Sequence, residues 1–193
     1  MTRFSISMCL ISSLMAANGA IAEPVAGKAA KAMLFAPVKA EADVLREAGL
    51  TSADAQVLAL VAEGQLYFGA IAISPDEGLM SEATVAAANY HDVDAARKAA
   101  LAGCEKKRTG ATACLIAAEI LPKGWKEQPL QLSSDATAAF AKDYDFGGTA
   151  AFAISAETGV YGLGLGEDAE ALALKDCAAK SDAAHDCTVV ILN

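Results

Sequence analysis

A short apolar segment occurs twice in this chain, and each occurrence is followed by a pair of cysteines. Residues 69–74 read Gly-Ala-Ile-Ala-Ile-Ser, and residues 150–155 read Ala-Ala-Phe-Ala-Ile-Ser. The members of each cysteine pair are ten positions apart, and the first member ends an Ala-Leu-x-x-Cys sequence. The pairs are Cys104 with Cys114 and Cys177 with Cys187. The same elements in the same order indicate one supersecondary unit used twice.

The two copies are residues 66–120, the first unit, and residues 148–193, the second unit. In each, an apolar strand, a turn, a second strand, a helix and a third strand are predicted. The first unit carries an eight-residue insertion, which we place between its second strand and its helix, because Gly78 precedes Cys104 by 26 positions and Gly159 precedes Cys177 by 18. We expect the units to merge into one mainly antiparallel sheet with helices on one face, an α+β fold.

The rest of the chain is predicted to be helical. Residues 23–65 form an N-terminal helical segment, with one helical stretch over residues 41–48 and another that begins at the cap residue Thr51. Residues 121–147 link the two units and contain a helix that starts near Ser133.

The first 22 residues have the order of a secretory signal. Arg3 is followed by an apolar stretch over residues 6–15 and by Ala20-Ile21-Ala22. Cleavage after Ala22 makes Glu23 the mature N-terminus. A transmembrane anchor is disfavoured because the stretch is shorter than the roughly 20 residues a bilayer requires. We therefore expect a periplasmic or secreted protein with no transmembrane segment after cleavage.

Composition limits the partners. The chain has 24 acidic residues against 15 lysines and arginines, a formal charge of −9 that becomes −10 when Arg3 leaves with the signal. Because nucleic-acid binding depends on basic residues that neutralise phosphates, nucleic acid is excluded as a partner. Aromatic residues make up only 6% of the chain, which favours a tight aliphatic core over a stacking platform.

The cysteines of the mature chain fit disulfide bonds. In an oxidising compartment, a cysteine at a helix end and one at the start of the next strand can close the loop between them. The identical spacing favours the pairs Cys104 with Cys114 and Cys177 with Cys187. Structural zinc prefers cysteines two to four positions apart, and a redox site requires a Cys-x-x-Cys or a low-pKa thiol. Both alternatives are disfavoured.

The cluster Gly162-Leu163-Gly164-Leu165-Gly166 resembles a phosphate loop but lacks the G-x-G-x-x-G spacing. It opens a helix that begins with the acids Glu167 and Asp168, which would repel an anion. The alternating glycines instead predict a flat strand face on which another element packs closely.

Only two histidines occur, and each precedes an aspartate. His91-Asp92 and His185-Asp186 could orient an imidazole for base chemistry. Candidate nucleophiles are Ser74 and Ser155, yet they end strands beside turns, and no G-x-S-x-G sequence is present. Two histidines and scattered acids also make a poor metal site. The single tryptophan, Trp125, is interpreted as a packing anchor of the linker.

The apolar strands, glycines and Ala-Leu-x-x-Cys sequences of both units resemble the bacterial secreted domain of unknown function, family 4189, in two copies. The resemblance implies no activity, so no catalytic, cofactor-binding or metal-binding residue is assigned. Sequences similar to the whole chain are also named 5-aminolevulinate synthase. We reject that assignment, because such an enzyme requires a large pyridoxal-phosphate fold with a Schiff-base lysine.

The sequence therefore favours an exported, disulfide-stapled binding or structural module of the periplasm or cell envelope, without cofactor, whose partner is an unidentified protein or small molecule. The alternative is a small cell-envelope hydrolase that uses His91 or His185 with the adjacent acids.

Overall fold

The computed structural model of the protein describes residues 23–37, 40–45 and 48–193. The predicted signal peptide, residues 1–22, lies outside the described residues. Within them the elements follow one another as α1 (Gly27–Met33), β1 (Ala40–Val44), α2 (Ser52–Glu63), β2 (Gly69–Ile73), β3 (Val85–Ala87), α3 (Val93–Lys107), β4 (Leu115–Pro122), α4 (Ser134–Asp143), β5 (Ala150–Ile154), β6 (Tyr161–Leu165), α5 (Ala169–Ala179) and β7 (Thr188–Leu192). None of these helices is long and apolar enough to cross a bilayer.

The predicted α+β class is confirmed, and the strands form two antiparallel sheets. One sheet has the order β1-β4-β2-β3 and the other the order β6-β5-β7. In both units the first strand is central, the second strand lies on one side and the third on the other. The prediction that the two units merge into a single sheet is wrong. The free edge of β4 is taken by β1, and that of β7 by Val25, which bridges Ile191.

Residues 41–44, the start of the helix expected over residues 41–48, belong instead to strand β1. It pairs antiparallel with β4, from Ala40 opposite Pro122 to Val44 opposite Ala118. Its sequence, Ala-Glu-Ala-Asp-Val, alternates small or apolar with acidic residues, as a strand with one covered face requires. Pairing with the edge of β4 outweighs the helical preference of its alanines and glutamate, because local propensity is weak against tertiary contacts.

Helices cover both faces of the first sheet, whereas one covered face was expected. Ala70 and Ala72 of β2 pack with Ala96 and Ala100 of α3. The other face of β2, which carries Ile71, packs in a core that includes residues of α2. All five residues of β2 are buried. A strand with no polar side chain needs cover on both sides, as in sheets that lie between helical layers.

The second sheet is covered in the same way. Ala151 and Ala153 of β5 pack with α5 on one face. On the other face Phe152 packs with Phe140 of α4 and with Ala30 of α1. Each sheet therefore has its own pair of apolar layers.

The N-terminal segment is divided between the two units. Helix α2 belongs to the core of the first unit through Leu58 and Ala62. Residues 25–34 belong to the second unit, where the Val25 N–H donates to the Val190 carbonyl at 2.9 Å and the Leu192 N–H donates to the Val25 carbonyl at 3.1 Å. The segment thus ties the two units together along the chain.

Three predicted helix starts carry the expected caps. Thr51 accepts from the Asp54 N–H in a capping box. Asp92 accepts from the Ala95 N–H at the start of α3, and Ser133 accepts from the Ala136 N–H at the start of α4. Each such cap contributes about 1 kcal/mol to helix stability.

The eight-residue difference between the units lies in two places rather than one. Val85 pairs with β2 at the position where Gly162 pairs with β5, so the two residues are counterparts. Val85 lies seven positions after Gly78, whereas Gly162 lies three positions after Gly159. Half of the difference therefore precedes the second strand. The other half follows the second strand. Most of it is extra helix, because α3 has almost one more turn before Cys104 than α5 has before Cys177.

Candidate functional site

The four cysteines of the described residues lie in the predicted pairs, each at disulfide distance. Cys104 lies in the last turn of α3 and Cys114 directly precedes β4, with their Cα atoms 6.2 Å apart. The second unit repeats this placement with Cys177 in α5 and Cys187 directly before β7, again 6.2 Å between Cα atoms. Each pair closes the loop that connects its helix to the third strand of its unit.

In the first unit, carboxylates bind the disulfide loop to the turn after β2. Glu77 accepts hydrogen bonds from the N–H groups of Thr109 at 2.8 Å and Gly110 at 3.1 Å. It also accepts from the Ser74 hydroxyl at 2.9 Å. These backbone donors, together with Ser74, lower the pKa of Glu77. Ser74 is fully buried and is used to hold this turn.

Asp76 makes the same kind of contact one residue earlier. It accepts from the Thr112 N–H and from the Thr112 hydroxyl, both at 2.7 Å, and these bonds lower its pKa. Two consecutive acids thus hold the loop between Cys104 and Cys114 against the strand end.

In the second unit the carboxylate comes from the loop instead of the turn. Asp186, next to Cys187, accepts from the Ser155 hydroxyl and from the Glu157 N–H. Burial alone would raise the pKa of Asp186, but these hydrogen bonds outweigh it and lower the pKa. Ser155 also accepts from the Thr158 hydroxyl at 2.7 Å. The structure therefore joins two candidate residues, Ser155 and Asp186, in a turn-to-loop contact.

His91 lies buried where three parts of the chain meet. Its Nδ1 accepts from the Ser133 N–H at 3.0 Å, and its Nε2 lies 3.0 Å from the Val160 carbonyl oxygen. A carbonyl only accepts, so the ring carries its proton on Nε2 and is neutral. The side chain is 2% exposed, and burial lowers its pKa. The ring thus links the first unit, the linker and the second unit.

The neighbouring aspartates do not orient the imidazoles. The Asp92 carboxylate caps α3 through the Ala95 N–H at 2.7 Å. His185 is exposed, and the adjacent Asp186 is bound to the turn after β5. Neither predicted His-Asp pair forms the base-and-orienter arrangement that nucleophilic catalysis requires.

A second contact beside His91 fixes the junction. The side chains of Asn89 and Asp135 meet, with the Asn89 Nδ2 donating to the Asp135 carboxylate at 2.9 Å and the Asp135 N–H donating to Asn89 Oδ1 at 3.1 Å. Gly159 packs against the Asn89 backbone so closely that a Cβ would overlap the Asn89 carbonyl oxygen. Its φ of +76° also favours glycine. The sequence provided no signal for this junction.

The glycine cluster forms the predicted flat face. A Cβ built on Gly162 would overlap the Ala173 carbonyl and the Cys177 nitrogen, and one on Gly164 would overlap the Ala169 carbonyl. The backbone of α5 therefore lies directly on β6.

Trp125 packs as an anchor of the linker. Its ring meets Phe68 edge-on, with centroids 6.5 Å apart. Its Nε1 donates to Gln131 Oε1 at 2.7 Å. The contact with Phe68 ties the linker to the first unit, and the hydrogen bond to Gln131 lies within the linker.

Sequence reasoning missed an ion pair with one buried partner. Glu119 of β4 is 5% exposed and accepts from Arg97 of α3, whose Nε lies 2.8 Å from it. Arg97 also binds Asp94 at 2.7 Å. The hydrogen bond that Arg97 donates to Glu119 raises the pKa of Arg97. A single glutamate within the run Leu-Ile-Ala-Ala-Glu-Ile-Leu was the available signal.

An open groove of about 570 Å³ separates the start of α3 from the turn after β5. Its lining comprises Asp92, Asp94, Ala95, Lys98, Ala99, Ala156 and Glu157. His91 is not among these residues because its ring is turned into the junction. Across the described ranges, no three His, Cys, Asp or Glu side chains form a group that could hold a metal ion.

Comparisons of the chain with protein-family models, with curated proteins and with solved structures found no match.

Proposed function

We propose that the protein is an exported, disulfide-stapled binding or structural module of the periplasm or cell envelope, with no enzymatic activity of its own. One observation carries this proposal: the buried histidine and the aspartate that follows it hold backbone groups instead of facing a substrate. His91 is bound on both ring nitrogens, and Asp92 caps a helix. A catalytic base needs a free lone pair that faces a substrate.

We further propose that the two units are copies of one ancestral unit and belong to secreted family 4189. The shared element order, the central first strand and the matching cysteine positions support this relationship. So do Gly78 and Gly159, which end the equivalent turns with φ of +79° and +76°.

Export is supported by the disulfide-distance cysteine pairs, since such bonds persist in oxidising compartments. The test is expression of the full chain in a bacterium, followed by fractionation and intact mass. We expect a periplasmic or secreted species that begins at Glu23 and lacks the four thiol hydrogens. A chain that retains residues 1–22, or free thiols in the exported form, would contradict the proposal.

The hydrolase alternative is less well supported, because His91 is buried and His185 has no orienting carboxylate. It is tested by assaying the purified protein on ester, amide, phosphoester and glycoside substrates, with His91→Asn and His185→Asn as matched variants. We expect no turnover that either substitution abolishes. A histidine-dependent rate would establish an enzyme instead.

A further inference from the structure

The outer edge of β6 is an open strand edge. Within the described part of the chain no strand pairs with it, whereas the opposite edge of the same sheet carries Val25. The Ser155 N–H donates to the Val160 carbonyl and the Gly166 N–H donates to the Thr149 carbonyl. Because an antiparallel ladder alternates, the backbone groups of Tyr161, Leu163 and Leu165 point away from β5.

Two side chains of the α5 end lie across this edge. Asp176 accepts from the Leu163 N–H at 3.1 Å. Lys180 binds Asp176 at 3.0 Å and places its Nζ 4.1 Å from the centroid of the Tyr161 ring. Both side chains remain more than a third exposed. The pair therefore occupies the centre of the edge without being locked into the core.

The first unit shows that the fold does not require this cover. The residue before the helix cysteine is Asp176 in the second unit and Gly103 in the first. The edge strand of the first unit, β3, has three residues, so it presents a shorter edge than the five-residue β6. A charged cover stands over the longer edge, where unwanted strand pairing is the greater hazard.

Three carboxylates and two lysines surround Tyr161. A groove of about 440 Å³ runs beside this residue, and its charged lining residues are Asp135, Lys142, Asp143 and Lys180. Burial raises the pKa of the Tyr161 hydroxyl, and the carboxylates of Asp135, Asp176 and Asp143 raise it further. If Lys180 moves away, one lysine, Lys142, remains near these three carboxylates, so the local charge favours a positively charged ligand.

We propose that the β6 edge binds an extended, basic peptide segment of a partner protein, and that Lys180 occupies the place of the partner's cationic side chain until it is displaced. The outward backbone groups can pair with another extended chain once the Asp176 carboxylate leaves the Leu163 N–H. The Tyr161 ring and Asp176 match a lysine or, better, an arginine. This proposal deepens the binding role given above and rests on it.

The test uses the mature disulfide-bonded protein and a fluorescein-labelled peptide with the core Thr-Val-Arg-Val-Thr. We expect the arginine peptide to bind wild type, with shifts of the Tyr161, Leu163 and Leu165 amide resonances. A matched peptide with Glu in place of Arg, and one with N-methylated backbone amides, are expected to bind at least tenfold more weakly.

Variants separate the roles of the two covering side chains. Lys180→Ala removes the internal competitor and is expected to tighten binding of the arginine peptide about fivefold. Asp176→Asn keeps the shape but removes the charge, so it should reduce the preference for Arg over Glu. Lys175→Ala, an exposed lysine of the same helix, is the control and should leave binding unchanged.

The proposal is overturned if neither wild type nor Lys180→Ala binds the arginine peptide, if the Glu peptide binds equally, or if N-methylation has no effect. Self-association of Lys180→Ala in sedimentation would also overturn it, in favour of a second copy as the occupant. None of these results bears on export or on the absence of turnover, so the failure of this proposal and the failure of the proposed function are distinguishable.

Discussion

At the scale of single residues, glycines set how closely helices approach the second strands. In the second unit the glycines lie on the strand, at Gly162 and Gly164, under the backbone of α5. In the first unit the arrangement is reversed, since a Cβ on Gly103 of α3 would lie 2.9 Å from the Val85 side chain of β3. Each unit thus places a glycine on one side of the contact.

Replacing Gly162 by alanine should therefore be costly. The new Cβ would overlap backbone atoms of α5, which cannot rotate away, so we expect Gly162→Ala to lower the free energy of unfolding by about 3 kcal/mol. The measurement is urea denaturation followed by circular dichroism. Gly147→Ala is the control, because its Cβ would meet only the Asp145 carboxylate, at 3.7 Å. Equal stability of the two variants would show that α5 can shift on β6.

His91 should make stability depend on pH. Burial lowers its pKa in the folded protein, although the Val160 carbonyl, Asp92 and Asp186 oppose this effect. The unfolded chain therefore binds the proton first, and stability present above pH about 6.5 is lost as the pH falls toward the folded pKa. Protonation also removes the acceptor that Nδ1 offers to Ser133.

The check is urea denaturation between pH 5.5 and 7.5, a range chosen above the ordinary pKa values of carboxylates. Wild type should lose up to about 1.4 kcal/mol per pH unit at the steepest point. His91→Asn keeps an acceptor near Ser133 but does not titrate, so its stability should be nearly independent of pH. His185→Asn is the matched control and should keep the wild-type slope. A slope that survives in His91→Asn would assign the effect to another group.

At the scale of elements, each disulfide loop is held twice. A cysteine pair joins its ends, and carboxylates bind it to the turn after the first strand. The direction of the carboxylate contact differs: Glu77 reaches from turn to loop, and Asp186 from loop to turn. The same contact is therefore made by acids at non-equivalent positions, which a comparison of the two sequences alone does not reveal.

Removal of a disulfide should destabilise its own unit. Each pair closes a loop between residues ten positions apart, so replacing both of its cysteines with serine should cost roughly 2–3 kcal/mol by freeing the unfolded chain. Because the pairs are in separate units, the two losses should add to within about 0.5 kcal/mol. Thermal melting of the two pair variants and their combination measures this. A combined loss well below the sum would show that the units unfold one through the other.

At the scale of the whole molecule, the N-terminal segment and the His91 junction hold the two units together. The segment begins on the second unit, where Gly27 donates to the Asn193 side chain at 3.0 Å, and continues into the first sheet as β1. His91 and Asn89 of the first unit contact Val160 and Asp135. The units are therefore joined by polar contacts while their apolar cores stay separate.

A mature chain that lacks residues 23–33 should lose stability mainly in the second unit. It loses the Val25 bridge and the burial of Ala30 against Phe140 and Phe152, which we expect to cost about 2–4 kcal/mol. Hydrogen exchange should then accelerate in β7 and α4, while the amides of β2 and β4 provide the internal control. Equal acceleration in both units would show that they unfold as one.

Local sequence determined much of this molecule. The order of elements in each unit, the helix caps at Thr51, Asp92 and Ser133, the cysteine pairs and the flat glycine face follow from patterns within a few turns or strand lengths, because such features depend on neighbouring residues. The α+β class followed from the same patterns. The sequence also identified His91, Asp92, Ser155 and Asp186 as notable residues, but it did not predict the contacts that they make.

Only the tertiary structure decided how the units are arranged. Strand β1 forms because the edge of β4 is there to pair with it, and this occupied edge is one reason why two sheets exist instead of one. His91 is a structural link because Ser133 and Val160, 42 and 69 positions away, converge on its ring. Contacts across such separations depend on how the chain packs as a whole, and residue order within any one element does not specify them.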